Sequence, residues 1–251
     1  LHVYDTQGNL LYNVNNLTGA EAEENLGSNV RVKDGLIIAT ATGHQGNKGK
    51  VYLFNESTTN QAPFASITLA DGVSGEKFGS DVGAADDFIV IGTRLSSSSG
   101  RALVYNRSGV HQSTLIPGDV GSTDQFGWSV DIGYNYIAVG SPNHNSNGGA
   151  VYLYDYSYIQ RLKIQPTGLT NFGYAVRLVS DGVVCGTYSE GIHKYDFEGN
   201  LLWSYNPTPN NQVGRQLDAG YGYVISGEPV FDPGSNYASG AASLLLDSDG
   251  T

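Results

Sequence analysis

Few residues of this chain combine the type and the spacing that chemistry requires. Asp247-Ser248-Asp249-Gly250 begins a run of spaced oxygen donors of the kind with which a tight loop satisfies calcium. The same place is filled by Asp5 to Gly8 and by Asn106 to Gly109, where no second acid follows. An Asx side chain accepts a backbone N–H two residues on and Gly accepts positive φ, so all three phrases read as hairpin turns. The histidines, His2, His44, His111, His144 and His193, never pair at metal-ligand spacing. His193 falls in a strand, as a core or edge residue; His44 and His144 fall in polar loops, as solvated groups or ligand contacts. Cys185, the single cysteine, follows Val183-Val184 and reads as an inert buried thiol. No nucleophile elbow, phosphate loop or dinucleotide fingerprint occurs. No cofactor and no metal is expected, and the chain is read as a non-enzyme.

The elements that would position these residues recur. Gly27, Gly79, Gly127, Gly173 and Gly214 each follow a Leu, Phe or Val. Thirteen positions after each comes Thr40, Gly92, Gly140, Gly186 or Gly227. Third strands open at Gly49, Gly100, Gly149, Gly191 and Gly240 and end in Asn55, Asn106, Asp155, Asp196 and Asp247. Fixed spacing inside a unit with variable length between units marks a structural repeat. The repeats start near 26, 78, 126, 172 and 213, preceded by a hairpin and connector over 1–25, and together they form one domain over 1–251. The strands predicted are two, then four sets of four, then three. Such runs as Phe88 to Ile91 and Tyr136 to Val139 are apolar throughout, which suits a sheet covered on both faces.

Phe126-Gly127 and Gly140-Ser141-Pro142 resemble the two ends of FG-GAP repeats, found in integrin alpha-chain heads and in bacterial and phage surface proteins. The resemblance implies an all-β propeller of four-stranded antiparallel blades. Two arrangements are open: a five-bladed ring, closed by Leu10 to Val14 pairing beside the last strand, or a section of a larger ring. Relatives often carry calcium between first and second strands, but the links VKDG, GAADDF, DIGYNY, LVSDG and DAGYGY lack three spaced carboxylates. Asp196 to Trp203 also resembles the blade phrase of quinoprotein dehydrogenases, in one copy only.

Composition agrees with a turn-rich β protein: 34 Gly, 8 Pro and 17 Tyr among 251 residues. A net charge of −11 has the wrong sign for neutralising phosphates, which argues against nucleic acid and against an anionic membrane. No apolar run is long enough to span a bilayer. The absence of any Met suggests part of a longer polypeptide.

Tyr beside Asn, Ser and Gly is the vocabulary of protein and sugar recognition. The loops joining second to third strands vary most in length, as expected where a rigid scaffold presents adaptable contacts. They offer Asn143, His144, Asn147, Tyr188, Phe231, Asp232, Asn236 and Tyr237 as partner-binding residues. The expected function is a non-enzymatic adhesion, receptor-binding or structural module of a bacterial or viral surface assembly. Its partner would be a protein or glycan, outside the cell or on a virion. The alternative is a propeller enzyme, a quinoprotein-like oxidoreductase or a glycoside-active lyase or hydrolase; a paired-carboxylate hydrolase would need two acids converging at one site.

Overall fold

The computed structural model describes residues 2–4, 7–13, 24–56, 62–94, 99–207, 212–228 and 241–250. It is an all-β five-bladed propeller, and each unit begins where a glycine turns the chain. Gly27, Gly79, Gly127, Gly173 and Gly214 have φ between 84 and 95°, a conformation open to glycine and costly for other residues. From there the chain enters the innermost strand of a blade and meanders outwards.

Among the described residues there are 21 strands. An N-terminal hairpin consists of β1 (His2–Tyr4) and β2 (Leu10–Asn13). Blade one contains β3 (Leu26–Lys33), β4 (Leu36–Ala41), β5 (Lys50–Asn55) and β6 (Ala65–Ile67). Blade two has β7 (Val82–Ala84), β8 (Phe88–Gly92), β9 (Ala102–Asn106) and β10 (His111–Leu115). Blade three comprises β11 (Ser129–Gly133), β12 (Tyr136–Ser141), β13 (Ala150–Asp155) and β14 (Gln160–Ile164). Blade four is built from β15 (Ala175–Val179), β16 (Gly182–Gly186), β17 (Ile192–Tyr195) and β18 (Leu201–Tyr205). Blade five holds β19 (Leu217–Gly220), β20 (Tyr223–Glu228) and β21 (Ala241–Leu246). All ladders are antiparallel between sequential neighbours, so the predicted grouping of two, four fours and three is the one observed.

Alternation along a strand feeds two interfaces at once. In β12, Ile137 and Val139 join Val90, Val104 and Tyr152 in the core between blades two and three. Ala138 joins Val176, Leu178 and Cys185 between blades three and four. This is why second strands are apolar at every position. Each fully buried aliphatic side chain contributes about 1.5–3 kcal/mol. Cys185 is buried in this packing, as its apolar neighbours predicted.

The third-to-fourth-strand turns have the predicted mechanism. Asn106 Oδ1 accepts the N–H of Ser108 and Val110, Asp155 Oδ1 those of Ser157 and Ile159, and Asp196 Oδ1 those of Glu198 and Asn200. Asp247 is likewise a turn residue: Lys194 Nζ lies 3.0 Å from its carboxylate, and Trp203 Nε1 donates to its carbonyl at 2.8 Å.

The fifth blade meets the first differently from the other pairs. Among the described residues β2 pairs with β1 and β21 with β20, so Leu10–Asn13 does not complete the fifth blade. Val3 packs instead on the face of blade one formed by Ile37, Ala39, Tyr52 and Phe54. Tyr223, Ile225, Leu244 and Leu246, on one face of blade five, stay exposed.

Candidate ligand-binding mouth of the central channel

Side chains four positions beyond the turning glycine point from the innermost strands to the axis: Arg31, Asp131, Arg177 and Asp218. Arg31 Nη2 lies 2.7 Å from Asp131 Oδ1, and Arg177 lies 3.5 Å from Asp218 and 3.7 Å from Asp81. The carboxylates also tie blade to blade. Asp81 Oδ2 accepts the N–H of Val130 in blade three, and Asp131 Oδ2 accepts that of Leu178 in blade four. Burial pushes the Asp81 carboxyl up, opposed by the Arg177 charge. For Arg177 burial opposes the charge, but Asp81, Asp131 and Asp218 outweigh it and hold its pKa up.

Above this floor a chain of rings and guanidinium groups crosses blades two to five. Trp128, Tyr174 and Arg215 are each the residue immediately after a turning glycine, and Arg94 and Tyr188 lie two residues beyond Gly92 and Gly186. Phe126 and Phe172, fully buried, anchor the turns, and the next side chain is thereby presented at the mouth. The Arg94 guanidinium sits 3.6 Å over the Trp128 ring. Trp128 and Tyr174 centroids are 4.9 Å apart, Tyr174 and Tyr188 5.4 Å, and Arg215 lies 4.7 Å over Tyr188. Desolvation lowers the pKa of Arg94. The floor apart from Asp131, and the strip apart from Tyr188, line a cavity of about 740 Å³.

Of the residues expected to bind a partner, Tyr188 is part of this strip. Asn143 lies towards the rim, where its Oδ1 accepts from Asn171 Nδ2 at 3.2 Å, and the Asn147 carbonyl accepts the Asn171 N–H. Phe231, Asp232, Asn236 and Tyr237 lie outside the described residues. His44 and His144 are buried rather than solvated, and each meets a buried acid; His144, with Asn143 and Asn147, lines a second cavity. His144 Nδ1 lies 2.5 Å from Asp124 Oδ2, and its Nε2 lies 2.8 Å from Lys163 Nζ. An ammonium group only donates, so Nε2 accepts and the ring proton is on Nδ1, directed at Asp124. Lys163 in turn bridges to Asp119, which accepts from Tyr152 Oη. Blade one repeats the pair as His44 with Glu24, joined by Tyr52, and in blade two Arg101 takes the place of histidine beside Glu76.

Sequence reading missed these acids and the strip. The signal existed as two columns: Glu24, Glu76 and Asp124 two residues before the Phe or Leu, and Ser28, Ser80, Trp128, Tyr174 and Arg215 after the glycine. In the second column side chains grow from hydroxyl to ring and cation around the propeller. Among the described residues no group of three or more His, Cys, Asp or Glu is arranged to hold a metal ion.

Residues 110–154 match the family model described as FG-GAP repeat. Among curated proteins none matches the chain. Among solved structures the chain is similar to the computationally designed Ika8 protein, with a TM-score of 0.61 at 12% identity over 88% of this chain and 58% of that one. That likeness concerns the fold alone, and the chain spans a little over half the length of the designed protein.

Proposed function

We propose that the protein is a non-enzymatic recognition module, displayed on a cell or virion surface within a larger assembly, and that it binds a glycan or protein through the mouth of its central channel. The observation that carries this reading is the strip from Arg94 through Trp128, Tyr174 and Tyr188 to Arg215. Half-buried aromatic and guanidinium groups on a rigid scaffold give large contact area at low ordering cost, as binding hot spots do. The surface setting follows from the resemblance of the repeats to those of surface proteins. The loop over residues 141–148, like Arg94 and Tyr188, follows a second strand and so shares this face by the alternation of strand connections.

The test is a glycan array and a surface-attachment assay with Trp128→Ala and Tyr188→Ala, alongside a hydrolase panel. Both variants should fold, by circular dichroism, and lose attachment. Undiminished attachment would move the interface to the opposite face or the blade edges. Turnover of any panel substrate, dependent on Asp81, Asp131 or Asp218, would favour a propeller enzyme instead.

A further inference from the structure

Taking that mouth as a recognition surface, we propose that its ligand is the carboxylate-bearing terminal sugar of an acidic glycan, a uronic or sialic acid. Charge supplies the first argument. In a chain of net charge −11, four of the seven arginines, Arg31, Arg94, Arg177 and Arg215, line this one cavity.

Hydrogen bonding supplies the second. The acids at the cavity already have partners within the fold: Asp81 accepts the N–H groups of Val82 and Val130, Asp218 lies 3.7 Å from Arg31 and 3.5 Å from Arg177, and Asp131, beneath the lining, is held by Arg31 and the Leu178 N–H. Two of the cavity's donors do not: Arg94 Nε and Ser80 Oγ are buried without a hydrogen-bond partner, and both residues line the cavity, whereas Arg177 Nε faces Asp218 Oδ1 at 3.5 Å. A buried donor left unmade costs about 1–3 kcal/mol, so an acceptor is what the site lacks. A carboxylate brings two oxygens, each able to accept more than one N–H, and its geometry suits a guanidinium fork.

The ring faces decide between a sugar and an acidic peptide. Trp128, Tyr174 and Tyr188 form one continuous strip between two guanidinium groups. A pyranose acid offers a flat C–H face with a carboxylate fixed at its edge, which matches ring beside cation. A peptide carboxylate is carried on a flexible stem and would lose more freedom on binding.

The experiment is calorimetric titration of the whole protein with glucuronic-acid-ended and sialic-acid-ended trisaccharides, their methyl esters, neutral analogues and a Glu-rich peptide, at two salt concentrations. Acidic sugars should bind, more weakly at high salt, and the esters about tenfold less well or worse. Arg94→Gln should weaken binding about ten- to a hundredfold, the loss expected for a charge-assisted hydrogen bond, and Arg94→Lys should recover part of it. Arg161→Gln, on the outermost strand of blade three, should change nothing. Equal affinity for acid, ester and neutral sugar would overturn the anionic ligand while leaving the recognition module standing. Binding of the peptide alone would overturn the sugar. Silence of every probe, with unaltered melting of Arg94→Gln, would overturn the proposal; only a blank attachment assay as well would remove the reading beneath it.

Discussion

A Cβ atom on Gly140 would lie 2.1 Å from the carbonyl oxygen of Gly173, the turning glycine of the next blade. Gly92 stands in the same relation to Gly127, and Gly186 to Gly214. Within its own blade Gly140 accepts the Gly127 N–H at 3.0 Å. The glycine thirteen positions on is therefore the point where one blade's backbone touches the next. Gly140→Ala should destabilise by about 2–4 kcal/mol, since backbone rather than a flexible side chain must move. Gly227, with nothing within 4 Å of the corresponding Cβ, should tolerate alanine within about 1 kcal/mol. Urea melts of the two variants check this; equal losses would refute the assignment of Gly140 to a packed junction.

That contact explains why the fold was legible in the sequence. Backbone approach demands glycine itself, and buried second strands demand apolar residues at every position, so Gly140 and Ile137 to Val139 carry unambiguous signals. Closure was not legible in the same way. Leu10–Asn13 repeats the phrase of β18, yet β2 pairs with β1, because an outer strand's pattern specifies a hairpin without naming the sheet it joins.

His193 supplies a pH-dependent term. It is buried, its Nδ1 meets Ser204 Oγ at 2.9 Å, and desolvation lowers its pKa, with Glu190 opposing. A folded pKa below the unfolded value near 6.5 means that the unfolded chain binds the proton first. This stability is present above about pH 6.5 and is lost as pH falls towards the folded pKa, with a slope of at most about 1.4 kcal/mol per pH unit. Thermal melts between pH 7 and pH 4.5 should show that slope in the parent protein and a shallower one in His193→Gln. Identical profiles would assign the acid sensitivity elsewhere.

Cys185 should be unreactive while the fold persists. It is fully buried between blades three and four, and burial pushes its thiol well above the ordinary range, so little nucleophilic thiolate forms near neutrality. A chromogenic disulfide reagent should label the chain only in denaturant, at the rate of unfolding. Rapid labelling of native protein would show that the junction opens locally.

The site was less legible than the fold, because its residues belong together only through the fold. Arg94, Trp128, Tyr174 and Arg215 are separated by tens of residues in the chain; three of them share the position after a turning glycine, but that column changes residue type from blade to blade and so carries no motif. Tyr188 was recognisable through its loop chemistry. His144 illustrates the opposite error: a polar loop suggested solvent, but its acid lies twenty residues earlier, beside Phe126, and the propeller brings the two together under the loop.

The Asp124–His144 pair should accordingly be structural and coupled. Asp124 also accepts the Gly121 N–H through Oδ2 at 2.8 Å, and its carbonyl accepts Ser141 Oγ and the Asn143 N–H, so the pair pins the 141–148 loop to the turn before blade three. His144→Ala should cost about 2–4 kcal/mol by leaving a buried carboxylate with the Gly121 N–H but without its side-chain donor. Once that donor is gone, Asp124→Ala should cost less than it does alone, giving a coupling of about 1 kcal/mol or more in a double-mutant cycle. His144→Gln, which keeps an N–H for Asp124, should retain part of the stability. Strict additivity of the two alanine substitutions, measured by urea denaturation, would show that the imidazole and the carboxylate act independently.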